Sequence, residues 1–271
     1  SECVRAIVTK CQSIRQEKLQ RVINGTGILL HTNLGRAPLG SEVLSKVAST
    51  LDSYCNLEYH IPTQKRGKRG GFAEKLICLI TGAEDALIIN NNAASVFLIL
   101  HHFAKGKEVL ISRGELIQIG GGFRIPDIMK QAGCHLVEVG TTNITELADY
   151  RNAITEHTAL IFSAHRSNFY MRGFTQSPTL QQLSALKNDA IMLVKDLGSG
   201  NLIFNNEDNV AQALKFADLV CFSGDKLLGA CQAGIIAGKK ELIAKLKKDP
   251  LMRIVRVDKI TYFIIQEVLL K

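Results

Sequence analysis

Short apolar runs alternating with helix-length spacers, from residue 86 onward, constrain this chain more than any other feature. The runs are residues 86–90, 108–112, 135–139, 158–164, 190–194, 219–222 and 235–237, and most are apolar at nearly every position. Strands of that kind are buried on both faces, which is the pattern of a parallel sheet covered by helices. Helical periodicity falls between them at 93–104, 127–131, 150–154 and 179–187, and ahead of them at 41–51 and 72–80. The expected fold class is therefore α/β, a mostly parallel sheet with helices on both faces. Right-handed crossovers then gather the carboxyl ends of the strands along one edge, where ligands of such sheets bind.

The two ends read differently. Residues 1–20 form one expected helix, apolar at Val4, Ile7, Val8, Ile14 and Leu19, and 22–30 is an irregular stretch split by Gly25 and Gly27. Residues 239–271 read as helical with a break at Pro250, and they stop inside an apolar run that needs a partner. The domains expected are 1–20 as the end of an N-terminal helical region, 21–248 as the large domain, and 249–271 as the start of a helix leading to a C-terminal small domain that the chain lacks.

Composition narrows the functional classes. With 46% hydrophobic and 21% charged residues and a mean hydropathy of +0.09, the 271-residue chain has the make-up of a soluble globular protein. No run approaches the roughly 18 apolar residues of a membrane span, and no secretory leader is visible. The formal charge of +8 favours an anionic partner such as phosphate or nucleic acid, although many proteins carry such a charge without one. Seven cysteines, none in a Cys-x-x-Cys pair, fit reduced cytoplasmic thiols better than zinc or disulfides; no metal site is expected.

Three segments carry chemistry. An apolar strand runs into Ser223-Gly224-Asp225-Lys226. A lysine directly after a buried strand is either a surface residue opening a loop or a Schiff-base amine, which must be partly desolvated to act as a nucleophile. Ser223, three residues earlier, is placed to hold a cofactor phosphate. The strand 190–194 leads to Asp196, where a carboxylate either caps the turn at Gly198 or pairs with a protonated pyridine nitrogen and keeps that ring an electron sink. The third segment, Asn90-Asn91-Asn92-Ala93, turns a strand into a helix. Its asparagine is a plain N-cap on one reading, and on the other its free amides are a phosphate seat. All three at one sheet edge, in this order, spell a pyridoxal phosphate site.

The run Asn24-Gly25-Thr26-Gly27 through Asn33-Leu34-Gly35-Arg36-Ala37-Pro38 closely resembles bacterial selenocysteine synthase, the L-seryl-tRNA(Sec) selenium transferase family. So do Thr81-Gly82-Ala83-Glu84, Ser112-Arg113-Gly114-Glu115, Gly120-Gly121-Gly122-Phe123-Arg124, Gly140-Thr141-Thr142-Asn143, Asp196-Leu197-Gly198-Ser199-Gly200 and the Ser-Gly-Asp-Lys segment. The similarity covers nearly the whole chain after about Leu19.

The resemblance implies the large domain of a pyridoxal phosphate-dependent fold type I transferase, with 21–248 binding the cofactor. It implies conversion of seryl-tRNA(Sec) to selenocysteyl-tRNA(Sec) with selenophosphate, through a dehydroalanyl (aminoacrylyl) intermediate. Lys226 would be the Schiff-base lysine and Asp225 its catalytic neighbour, with Asp196, Ser223, Asn91, Asn92 and Ala93 holding the rest of the cofactor. Arg36, Arg253 and Arg256 would bind selenophosphate or the seryl-tRNA. On a helix after Pro250, Arg253 and Arg256 also project from one face by their i, i+3 spacing, and guanidinium forks suit a phosphate-like anion. Arg124 and His165 lie in matching segments and read as scaffold. The family also implies a cytoplasmic homo-oligomer, a ring of dimers.

Two positions depart from the family. Ala230-Cys231 stands where it usually has Gly-Pro, which frees the loop after the lysine from a ring constraint and puts a thiol there. Lys195 precedes Asp196 where a small residue is usual. The alternatives left open are another pyridoxal phosphate-dependent lyase or β-eliminating enzyme on the same scaffold, and an inactive truncated core.

Overall fold

The computed structural model describes residues 2–202 and 208–271. Backbone contacts divide the chain into two compact units, Ser1–Arg36 and Ala37–Lys271. In the first, α1 (Glu2–Gln16) stops short of the expected residue 20. It has no buried residue, and an apolar stripe without burial gives a helix end little reason to persist. The expected irregular stretch is organised by one side chain: Asn24 Oδ1 accepts from the Thr26 backbone and hydroxyl at 3.1 and 2.7 Å, while Nδ2 donates to the Ile28 carbonyl at 2.9 Å.

The second unit is built on a seven-stranded sheet. Its strands are β1 (Asp85–Ile89), β2 (Glu108–Ser112), β3 (His135–Val139), β4 (Thr158–Ala164), β5 (Met192–Gly198), β6 (Leu219–Ser223) and β7 (Gly234–Gly238). In space they run β1-β7-β6-β5-β4-β2-β3. Every neighbouring pair is parallel except those of β7, which is antiparallel to both β6 and β1. The apolar runs of the sequence became these strands. β5 differs most: it continues four residues past the expected Val194, because the ladder to β4 and β6 pairs Asp196 with Ala164 and Cys221 regardless of side-chain polarity.

Alternation along the strands sorts side chains into two cores. On one face, Leu219, Cys221 and Val194 pack with α4 (Asn92–Ala104), α5 (Ile125–Gln131) and α9 (Lys240–Lys248). On the other, Leu193, Val220 and Phe222 pack with α2 (Ser41–Leu51), α3 (Gly71–Thr81), α6 (Leu147–Ala153), α7 (Leu180–Ser184), α8 (Val210–Leu214) and α10 (Lys259–Leu269). The five-residue α8 was not expected from periodicity; Asn209 starts it by accepting from the Ala211 N–H at 2.8 Å. α4 rests directly on β7, where a Cβ at Gly234 would lie 2.2 Å from the Asn91 carbonyl oxygen and 2.3 Å from Ser95 Oγ.

The expected helix over 239–271 is three pieces. After α9, Asp249 caps a 3-10 turn, Pro250–Arg253, by accepting from the Leu251 N–H at 2.8 Å. The chain then runs without helix to Asp258, which caps α10 by accepting from the Thr261 N–H at 2.9 Å. Among the described residues, no helix is long and apolar enough to cross a membrane.

Candidate active site

Lys226 leaves the end of β6 in a tight loop. Gly224 N–H donates to the Ala233 carbonyl and Ala230 N–H to the Gly224 carbonyl, both at 2.9 Å, while Leu227 N–H donates to the Ser199 carbonyl at 3.0 Å. That last bond ties the loop to the end of β5. The half-buried lysine reaches the same place, since a Cβ built on Gly198 would lie 3.8 Å from Nζ. Gly198 has φ +61°, a conformation that side chains disfavour, so the backbone there turns without filling the space beside the amine.

Asp196, two residues before that turn, is 8% exposed. Its Oδ1 accepts from Asn92 Nδ2 at 2.8 Å and from the Gly198 N–H at 2.9 Å. Burial pushes its carboxyl above the ordinary range, against the pull of those two donors and of the nearby Lys226 and Lys195 ammonium groups. A carboxylate held this way becomes fully comfortable only when a further cation or N–H donor faces it.

Asp196 shares a face of β5 with Val194, and Ser223 shares a face of β6 with Cys221, so both belong to the side that α4 covers. At the start of α4, Asn91 Oδ1 accepts from the Ala94 N–H at 2.8 Å. The backbone N–H groups of Asn92 and Ala93 remain in the first turn, where a helix offers unbonded donors and partial positive charge. Asn92 Oδ1 is buried and makes no hydrogen bond among the described residues. Amine, carboxylate and helix N-terminus thus stand on one rim of one sheet, and this donor set suits a pyridine ring carrying an aldehyde and a phosphate.

The arginines are placed differently from the helical expectation. Arg253 ends the 3-10 turn, whereas Arg256 lies in extended chain and bridges antiparallel to Ile89, next to the Asn90 N–H that donates to the Val255 carbonyl at 3.0 Å. They do not share a helix face. The sheet edge captured the segment instead, and it carries Arg256 to the end of β1, just before α4. Arg36 belongs to the first unit, at φ +62°, and its N–H donates to the His31 carbonyl at 3.1 Å. Asp225 is buried, and its carbonyl accepts from the Ala37 N–H at 3.3 Å.

Strand alternation explains the first departure, and the hydrogen-bonded loop after the lysine the second. Lys195 points to the face opposite Asp196, where Nζ donates to Ser163 Oγ at 3.2 Å and pairs with Asp208 at 3.5 Å. Cys231 sits in a loop already closed by hydrogen bonds, and burial pushes its thiol up to about 11, so it carries no thiolate at neutral pH.

His165 was read from the sequence only as scaffold, and Glu115, just beyond a strand, was given no role. His165 follows β4 and its N–H donates to the Asp196 carbonyl at 2.8 Å. Glu115 follows β2; burial raises its carboxyl, which accepts from the Ala164 N–H at 3.0 Å and Ser163 Oγ at 3.3 Å. For His165 the available signal was a polar residue directly after an apolar run; Glu115 stands three residues past the end of its strand.

A family model described as "SelA: L-seryl-tRNA selenium transferase" matches residues 22–271. The chain belongs to the L-seryl-tRNA selenium transferase family. It is 48% identical to the L-seryl-tRNA(Sec) selenium transferase of Campylobacter concisus, over 98% of this chain and 62% of that protein. The chain therefore spans about three-fifths of the length of that selenium transferase. Among solved structures, a D-glucosaminate-6-phosphate ammonia-lyase superposes with a TM-score of 0.75 at 21% identity, over 94% of this chain and 68% of the other. A Thermus thermophilus aspartate aminotransferase variant superposes at 0.63 and 18% identity, over 97% and 69%. The transferase-family chain thus has the fold type I architecture, a mostly parallel sheet flanked by helices.

Proposed function

We propose that this chain is the cofactor-binding core of an enzyme that converts seryl-tRNA(Sec) to selenocysteyl-tRNA(Sec), with pyridoxal phosphate as cofactor and selenophosphate as selenium donor. The observation that carries the reading is the Lys226 amine beside Gly198, two residues from the buried Asp196 carboxyl. The family membership supplies the substrate class.

When bound, pyridoxal phosphate offers an aldehyde for an amine and a ring that takes up the charge left by a departing Cα proton. Lys226 Nζ is the amine that holds the aldehyde and the base that moves the seryl Cα proton. Asp225, buried beside it, orients the loop that aims this amine. Asp196 keeps a proton on the ring nitrogen, and Asn92 holds Asp196 in place. The N–H groups of Asn92 and Ala93, with the Asn91 cap and the Ser223 hydroxyl, bind the phosphate. Arg36, Arg253 and Arg256 bind the phosphate-like donor and the RNA backbone, because guanidinium forks match such oxygens. The setting is a cytoplasmic homo-oligomer.

The test is the cofactor absorbance of the purified chain and of Lys226→Ala after incubation with pyridoxal phosphate. The wild type is expected to show an amine-bound band that borohydride fixes to the protein, and the variant to show none. A variant retaining an unchanged, borohydride-fixable band removes Lys226 from its role.

A further inference from the structure

Lys195 is 8% exposed, a setting in which an ammonium group is rarely found unless its charge has a use or a partner. The ladder sets Lys195 opposite Ser163 and, one step on, Asp196 opposite Ala164. On the face away from α4, Lys195 Nζ donates to Ser163 Oγ at 3.2 Å, and that hydroxyl donates in turn to Glu115 Oε1 at 3.3 Å. The second Glu115 oxygen accepts from the Ala164 N–H at 3.0 Å. Hydroxyl and carboxyl together fix the amine in place behind Asp196.

The groups around the amine do not cancel its charge. Glu115 faces two cations, Lys195 and Arg166, and burial raises its carboxyl toward the neutral form. Asp208 lies 3.5 Å from Nζ, but its side chain is 57% exposed, so water screens that pair. On the Asp196 side, burial and the Asp196 carboxylate push the Cys221 thiol well up, and it adds no charge. Asn92 and the Gly198 N–H give Asp196 neutral donors. Lys226 and Lys195 add the pull of two ammonium groups, which draw the Asp196 carboxyl down against its burial. Lys226 is the amine that reacts in the function proposed above, so its charge changes as it works. Lys195 stands on the far face of the strand from the crevice and keeps its charge throughout.

A carboxylate facing a pyridine nitrogen shares one proton with it, and a nearby cation favours the arrangement in which the carboxylate is charged. Lys195 neighbours Asp196 along the strand, so its field falls more strongly on that carboxylate than on a ring beyond it. We propose that Lys195 is a positioning residue for the reaction: acting through Asp196, its fixed charge holds the shared proton on the ring nitrogen of the cofactor, where the ring draws electrons best. This rests on the function proposed above.

The test is the nitrogen-15 resonance of pyridoxal phosphate labelled at the ring nitrogen and bound to the purified chain near neutral pH. The wild type is expected to show a protonated ring nitrogen. In Lys195→Met and Lys195→Gln the ratio of protonated to unprotonated ring is expected to fall roughly five-fold, the effect of removing one charge at an effective dielectric of about 20. The resonance then moves toward that of neutral pyridine. Lys195→Gln keeps a donor for Ser163 without the charge, whereas Lys195→Arg keeps the charge and stays near the wild type. The borohydride-fixable band persists in all three variants, which hold the cofactor and differ in its proton. A wild-type resonance in Lys195→Gln overturns the proposal and leaves the proposed function standing. Lys195→Arg shifting as far as Lys195→Gln overturns it too, since packing and not charge then moves the resonance. A wild-type chain that binds no cofactor, or binds it with the ring nitrogen unprotonated, overturns both.

Discussion

Asn92 Nδ2 lies 2.8 Å from Asp196 Oδ1, a hydrogen bond that joins the first turn of α4 to the end of β5 across 104 positions of sequence. It couples the end of the site proposed to seat the phosphate to the end proposed to face the ring nitrogen. The amide also offsets part of the penalty that burial imposes on the carboxylate.

Asn92→Ala is therefore expected to weaken pyridoxal phosphate binding about 10-fold, the effect of one hydrogen bond to a charged group, roughly 1.5 kcal/mol. Absorbance titration with the cofactor measures it. An unchanged dissociation constant would show that Asp196 is positioned by other contacts.

Gly198→Ala places a methyl 3.8 Å from the Lys226 amine on a residue at φ +61°. The conformational cost is about 1–2 kcal/mol, a fall of roughly 2–8 °C in melting temperature for a chain of this size. The contact itself is ordinary, so the cofactor band is expected to survive. Calorimetry and absorbance on one sample separate the two effects.

Gly234→Ala should be far more damaging. Its Cβ would meet the Asn91 carbonyl oxygen at 2.2 Å and Ser95 Oγ at 2.3 Å, and the first of these is backbone that cannot rotate away. Moving α4 off β7 is expected to cost at least about 3 kcal/mol and to lower cofactor affinity as well. A variant with wild-type melting temperature and affinity contradicts the close packing described.

Stability should respond to pH in two windows of opposite sign. Burial raises the carboxyls of Glu115 and Asp196, so the folded chain retains protons that the unfolded chain has released. Cofactor-free stability then falls as pH rises from about 4 toward those raised values. Asp218 behaves oppositely. Despite burial, the Leu193 N–H and the Lys239 and Lys187 ammonium groups hold its carboxyl below the usual range. Its contribution is present above about 4 and disappears as pH falls through the lowered value. Asp218→Asn should flatten that acid limb in denaturant titrations at several pH values, leaving the limb above pH 4 in place.

The sheet was legible because its strands are apolar at nearly every position, a pattern that burial on two faces demands. Three kinds of feature escaped. The end of β5 carries Lys195 and Asp196, whose polarity hides a strand that backbone pairing sustains. The five residues of α8 are too few for helical periodicity to register. Arg253 and Arg256 have helical spacing, but pairing of Arg256 with Ile89 draws the segment into extended chain. In the candidate site, Lys226, Asp196 and Asn91 were readable because each follows an apolar run, so their place on the rim follows from topology. The bond from Asn92 to Asp196 and the left-handed turn at Gly198 depend on three-dimensional register, which no local pattern encodes.

Insertion of β7 between β1 and β6 has a metric consequence. Two ladder steps of about 4.8 Å each set the lateral offset between the strand that feeds α4 and the strand that ends at the lysine. That offset, near 10 Å, is a ruler made of peptide groups, indifferent to which side chains decorate it. Substitutions such as Ala230 and Cys231 can accumulate in the loop beside the amine while the gauge of the crevice stays constant.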